Sequence, residues 1–198
     1  MRYFCFICVI TAVIKGDLYE SVCLCHYRPQ TTRFCFGYNE EDPLCQKLKE
    51  CLLEQFRILH DEKFVRTFFV GGALGVDMWA GEQLLTLRAQ TGYEDIKIIV
   101  VVPFIGYDSK WPDQSKHRLK KLIQNSNDSI VISHSADVSS YKKRNYYMVD
   151  HAEYIIGVFD NQKKLRSGTA QTVNYALHQG KVITLIHPDT MEITAPAP

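Results

Sequence analysis

The strongly apolar run Phe68-Phe69-Val70 breaks into Gly71-Gly72-Ala73-Leu74-Gly75, and Val76-Asp77-Met78-Trp79-Ala80 follows at once with helical character. A strand that passes through a glycine turn directly into a helix is the opening half of a βαβ unit, and such units build parallel sheets. The rest of the chain alternates in the same way. Val22 to Cys25 reads as a short strand. Asp42 caps a helix with Pro43 at its first position, and Leu44, Leu48, Cys51, Leu52, Gln55 and Phe56 keep helical spacing. Strands are expected at Phe64–Val70, Ile96–Val102 (closed by Pro103), Ser129–Ser133, Tyr154–Phe159 and Val182–Ile186. Between them fall helices from Val76 to about Gln90, Asp113 to Gln124, Ser139 or Ser140 through Val149, and Ser167 to about His178 with Gly180 as its stop. Residues from Pro188 read as a loose tail. The expected fold is α/β: a Rossmann-like, doubly wound, mostly parallel sheet with helices on both faces.

At 198 residues one domain is the default, here placed at 21–198 after an apolar extension over 1–20. Residues 3–14 are too few to span a bilayer, which needs about 20 apolar residues, and they lack a signal-peptide cleavage pattern. They read as an added strand or a poorly anchored extension, and no membrane partner is expected unless they form a short membrane anchor. A net charge of +1 argues against sequence-independent nucleic-acid binding, which depends on neutralising many phosphates. The cluster Lys116, His117, Arg118, Lys120 and Lys121 reads as a solvated helix face. All seven cysteines lie before residue 52, and their odd number favours reduced thiols and a cytoplasmic setting over a disulfide framework. Cys5-x-x-Cys8 lies in an apolar run with no second pair at finger spacing, so no metal is expected. The histidines from His60 onward show no ligand or triad spacing either.

In a doubly wound sheet, ligands bind beyond the carboxyl ends of the strands near a topological switch point. The turn Gly71, Gly72, Ala73, Gly75 sits at such an end and opens a helix, whose free N–H groups and partial positive charge suit a phosphate. The competing reading is that these glycines only turn the chain. The turn is neither a P-loop nor the dinucleotide fingerprint. A second junction of the same kind, Ser167-Gly168-Thr169, opens the last helix and adds two hydroxyl groups. Two such helix ends on one rim would grip two parts of one anionic ligand.

Together these pieces resemble the SLOG superfamily of Rossmann-like domains, which includes DprA and the LOG-type phosphoribohydrolases, and more narrowly its YpsA-like family. The resemblance is carried by Gly71 through Glu82, Val102-Pro103-Phe104, Trp111, Arg144-Asn145-Tyr146-Tyr147-Met148-Val149-Asp150 and Ser167-Gly168-Thr169. It implies a cytosolic protein binding a nucleotide or nucleotide-derived ligand, with a homo-oligomer among the family's options, and it implies no known reaction; no cofactor is expected. Where such relatives end the first strand in Thr-Gly-His-Arg-Pro, this chain has Cys25-His26-Tyr27-Arg28-Pro29. The glycine is lost and Arg28 is kept, either as a phosphate partner or as a surface arginine. LOG-type hydrolases carry a catalytic glutamate after the last glycine turn; alignment on Gly168-Thr169 puts Thr172 there, which closes that route to N-glycosidic cleavage.

The remaining site candidates are Asp77, as a ribose acceptor or a helix-start carboxylate; Phe104, as a base-stacking ring or a cover for the sheet end; and Arg144 with Asn145. The leading expectation is a nucleotide-binding, sensor-like domain. Its rivals are a nucleotide-processing enzyme using Asp77 or Glu82, and a DprA-like single-strand DNA binder.

Overall fold

The computed structural model describes residues 9–15, 18–20, 22–26, 34–37, 39–134, 136–159 and 168–196, with side chains from residue 34 onward except Val138. The central strands are β3 (Val22–His26), β4 (Thr67–Val70), β5 (Lys97–Phe104), β6 (Asp128–Ser133), β7 (Tyr154–Val158) and β8 (Val182–Ile186). They lie in the order β6-β5-β4-β3-β7-β8, each parallel to its neighbours. Two short strands precede them: β1 (Val9–Lys15) and β2 (Leu18–Glu20) pair with each other, and β1 also runs antiparallel to β4 and β7. The apolar extension over 1–20 therefore contributes both of these strands.

Five helices fill the connections among the described residues: α1 (Pro43–Lys63), α2 (Val76–Arg88), α3 (Asp113–Asn125), α4 (Val138–Asp150) and α5 (Gly168–His178). They divide between two cores. Leu48, Leu52 and Phe56 of α1, Trp79 and Leu84 of α2 and Leu119 and Leu122 of α3 share one with Phe68, Val70 and Val100. Met148 and Val149 of α4 and Val173 and Ala176 of α5 share the other with Phe69, Val101 and Ile155. Successive residues of one strand, such as Phe68 and Phe69, thus enter opposite cores, as the twofold period of a strand requires. The fold is the expected α/β, doubly wound sheet with helices on both faces. No helix among the described residues is long and apolar enough to cross a membrane.

Local differences from expectation have plain causes. Phe64 does not begin β4; it caps α1 in the left-handed region at φ 56°. Pro103 does not close β5, which runs on to Phe104. The pairing of β4 with β5 ends at Val70–Val100, so a proline beyond it breaks no bond to β4. The cap of α4 is Asp137, whose side chain accepts from Ser139 N–H, rather than Ser139 or Ser140. The tail after Pro188 is not wholly loose, since β9 (Ile193–Thr194) pairs antiparallel with β8.

Candidate functional site

Because β4 and β7 both run parallel to β3, their carboxyl ends lie on one rim of the sheet. The chain order switches here: from β3 the strands proceed outward through β4, β5 and β6 on one side and through β7 and β8 on the other. Arg28 and Ser167 belong to segments outside the described residues.

The loop after β4 is held from below by a buried carboxylate. Asp77 is fully buried; its oxygens accept from Gly71 N–H at 3.2 Å and from Ala73 N–H at 3.0 Å. Arg144, also fully buried, donates from Nη1 to the Gly71 carbonyl at 2.7 Å and stands 3.4 Å from Asp77 Oδ2. Two of the donors first assigned to a ligand, those of Gly71 and Ala73, are thus engaged within the protein. Gly72 and Gly75 take positive φ (63° and 88°), and their N–H groups donate to no described residue. At Gly71 the missing side chain serves packing: a Cβ there would lie 1.9 Å from Arg144 Nη1.

The start of α5 is linked to the same helix. Asn145 Nδ2 donates to Thr172 Oγ1 at 3.1 Å, and that hydroxyl donates to the Gly168 carbonyl at 2.8 Å. Adjacent residues of α4 therefore reach both glycine-opened turns, Arg144 the first and Asn145 the second. Asn145, Thr169 and Thr172 are all buried, yet Asn145 Oδ1 and Thr169 Oγ1 have no hydrogen-bond partner among the described residues. Buried polar atoms are nearly always paired, so such exceptions call for a reason.

Aromatic rings form the β5 side of this rim. Phe104 meets Tyr107 and Tyr141 edge-on, with centroids 6.3 and 5.7 Å apart, and Tyr107 meets Trp111 at 5.2 Å. Tyr107 Oη donates to the Gly72 carbonyl at 2.8 Å, tying the cluster to the loop. A cavity of about 520 Å³ opens beside Phe104 and Tyr107, bordered by Lys116 and Lys120 of α3. Sequence reasoning found Phe104 and Trp111 but missed Tyr107 and Tyr141. Tyr141 lies three residues before Arg144, on the next turn of α4, and that spacing was the available signal.

A model of the YspA SLOG family matches residues 22–191. The chain belongs to that family. It is 33% identical over 164 residues to the SPbeta prophage-derived protein YoqJ of Bacillus subtilis, covering 75% of this chain and 92% of YoqJ. A UPF0398 protein of Staphylococcus epidermidis is 26% identical over 129 residues, covering 64% of this chain and 67% of its own. One from Staphylococcus haemolyticus is 27% identical over 97 residues, covering 48% and 51%. The YspA SLOG match spans both glycine-opened turns, all of α4, and Thr172.

Other polar residues of the YspA SLOG segment have structural work. Glu82 is bound by Arg118, which donates to it from Nε at 2.8 Å and Nη2 at 2.7 Å and reaches Glu40 from Nη1 at 2.6 Å. Arg118 is therefore part of a half-buried network, not of a purely solvated face. Trp79 is buried against Phe34 and Phe36, as a core residue. A cavity larger than the one beside Phe104, about 840 Å³, lies at the opposite rim, where Thr67, Lys97, Asp128, Glu153 and Lys181 mark the strand beginnings. Size favours that cavity. The two unpaired buried oxygens, the helix start and the switch point favour the carboxyl rim, which we take as the candidate site because hydrogen bonding carries specificity.

Proposed function

We propose that the protein binds a nucleotide or nucleotide-derived phosphate ligand at the carboxyl rim, as a binding or sensing domain. The phosphate is held at the helix starts near Gly72–Gly75 and Gly168–Thr169, and the base lies toward Phe104. The observation that carries this reading is the reach of α4 toward both turns through Arg144 and Asn145, with Asn145 Oδ1 and Thr169 Oγ1 buried and unpaired among the described residues beside the start of α5. A phosphate there would meet backbone donors and the positive end of the helix, an interaction worth about 0.3–1 kcal/mol per end before direct hydrogen bonds. Asp77 and Arg144 support the loop from inside, so their contribution to binding is positional.

Catalysis receives no comparable support. Asp77 is buried under the loop it braces, Glu82 is paired with Arg118, and Thr172 stands where the resemblance would require a carboxylate. Titration calorimetry with AMP tests the proposal. Saturable binding is expected, weakened about tenfold or more by Thr169→Val, with no adenine released on long incubation. An absence of heat with AMP removes the binding proposal, and steady adenine release with turnover replaces it with an enzyme.

A further inference from the structure

The direction of two hydrogen bonds specifies what a ligand must bring to this site. Thr172 has one hydroxyl proton, and it is directed to the Gly168 carbonyl. Toward Asn145 it can therefore only accept, which turns Nδ2 of the amide to Thr172 and leaves Oδ1 for something else. Asn145 is 2% exposed and Oδ1 meets no donor among the described residues. An amide oxygen accepts and cannot donate, so the group that completes it is an O–H or N–H.

The Thr169 hydroxyl, on a residue 1% exposed, also lacks a partner among the described residues and belongs to the first turn of α5, where a phosphate is favoured. In a nucleotide the part bonded nearest the phosphate is the sugar, and its hydroxyls are donors. We infer that Asn145 Oδ1 accepts a hydrogen bond from a ribose hydroxyl of the ligand, so that this residue separates ribonucleotides from deoxyribonucleotides. The inference rests on the nucleotide-binding reading above and adds its sugar specificity. A site built to satisfy a buried acceptor rejects an analogue lacking the donor far more strongly than it rejects a change of apolar size.

The test is calorimetry on the full chain with AMP, its 2′-deoxy and 3′-deoxy forms, and IMP, which lacks the exocyclic amine. Removal of one sugar hydroxyl is expected to weaken binding at least tenfold, while IMP binds like AMP. In Asn145→Leu, checked for folding by its melting curve, the ribose and deoxyribose forms become equivalent. The ligand series on the unaltered protein stands by itself if that variant unfolds. Equal binding of AMP and both deoxy forms overturns the inference and leaves the nucleotide site intact. Selective loss with IMP moves the donor to the base and also overturns it. No binding of AMP removes both readings.

Discussion

At the scale of single residues, the Gly71 turn is explained by what lies beneath it. A methyl group at Gly71 would meet Arg144 Nη1 at 1.9 Å and Asp77 Oδ2 at 2.7 Å, inside a fully buried ion pair that has no room to relax. Gly92 offers the contrast, since its φ of 94° strains any side chain but nothing lies within 4 Å. Gly92→Ala should cost about 1 kcal/mol, the ordinary penalty of left-handed backbone. Gly71→Ala should cost more, about 3 kcal/mol, as overpacking of a rigid site. Urea unfolding of the two variants compares them directly, and equal losses would mean that Arg144 is not packed as described. The glycines were visible in the sequence, but the reason for Gly71 was not, because Arg144 lies 73 residues away in the chain. Asp77 was ambiguous for the same reason. A carboxylate at a helix start reads as a ligand contact or a helix-start charge until its distant partner is placed.

At the scale of elements, most of the architecture was legible because each strand and helix carries its own period and stop signal. The misreadings fall where tertiary context overrides a local rule. Pro103 looked like a strand terminator, and is one only where a neighbouring strand needs its N–H. Ile193–Thr194 showed no period because two residues are too few to show one, and β8 supplies the pairing. Phe64 looked like the first residue of a strand because it is aromatic, yet it closes α1 with φ 56° and ψ 29° while its side chain stays 56% exposed. That geometry suits glycine, and the phenyl ring recovers little by burial. Phe64→Gly should therefore stabilise the protein by about 0.5–1 kcal/mol. A higher urea midpoint with an unchanged slope is the expected result, and a lower midpoint would show that the ring contributes more than its exposure implies.

At the scale of the whole molecule, one carboxylate joins the segment after β3 to three helices. Glu40 is bound by Arg118 of α3 and by Lys49 of α1 at 2.8 Å, and Arg118 continues to Glu82 of α2. Burial alone would raise the pKa of Glu40, but the hydrogen bonds from Arg118 and Lys49 outweigh it and bring it down to about 2. A carboxylate whose pKa is lower in the folded state stabilises the fold above its ordinary value of 4.5 and loses that contribution as pH falls toward 2. Asp95 acts in the same sense: burial opposes ionisation, and His60 and Arg66 overcome it. With the side chain of Glu40 still 29% exposed and screened by solvent, its share is on the order of 1–2 kcal/mol. Glu40→Gln should be less stable than the unaltered protein at pH 6, and the gap should close between pH 4.5 and 2 as Glu40 itself becomes neutral. Unfolding free energies measured by urea titration across that range decide the matter. A gap that stays constant down to pH 2 would show that the lost stability came from shape and not from charge, and the network would then hold the helices by packing alone.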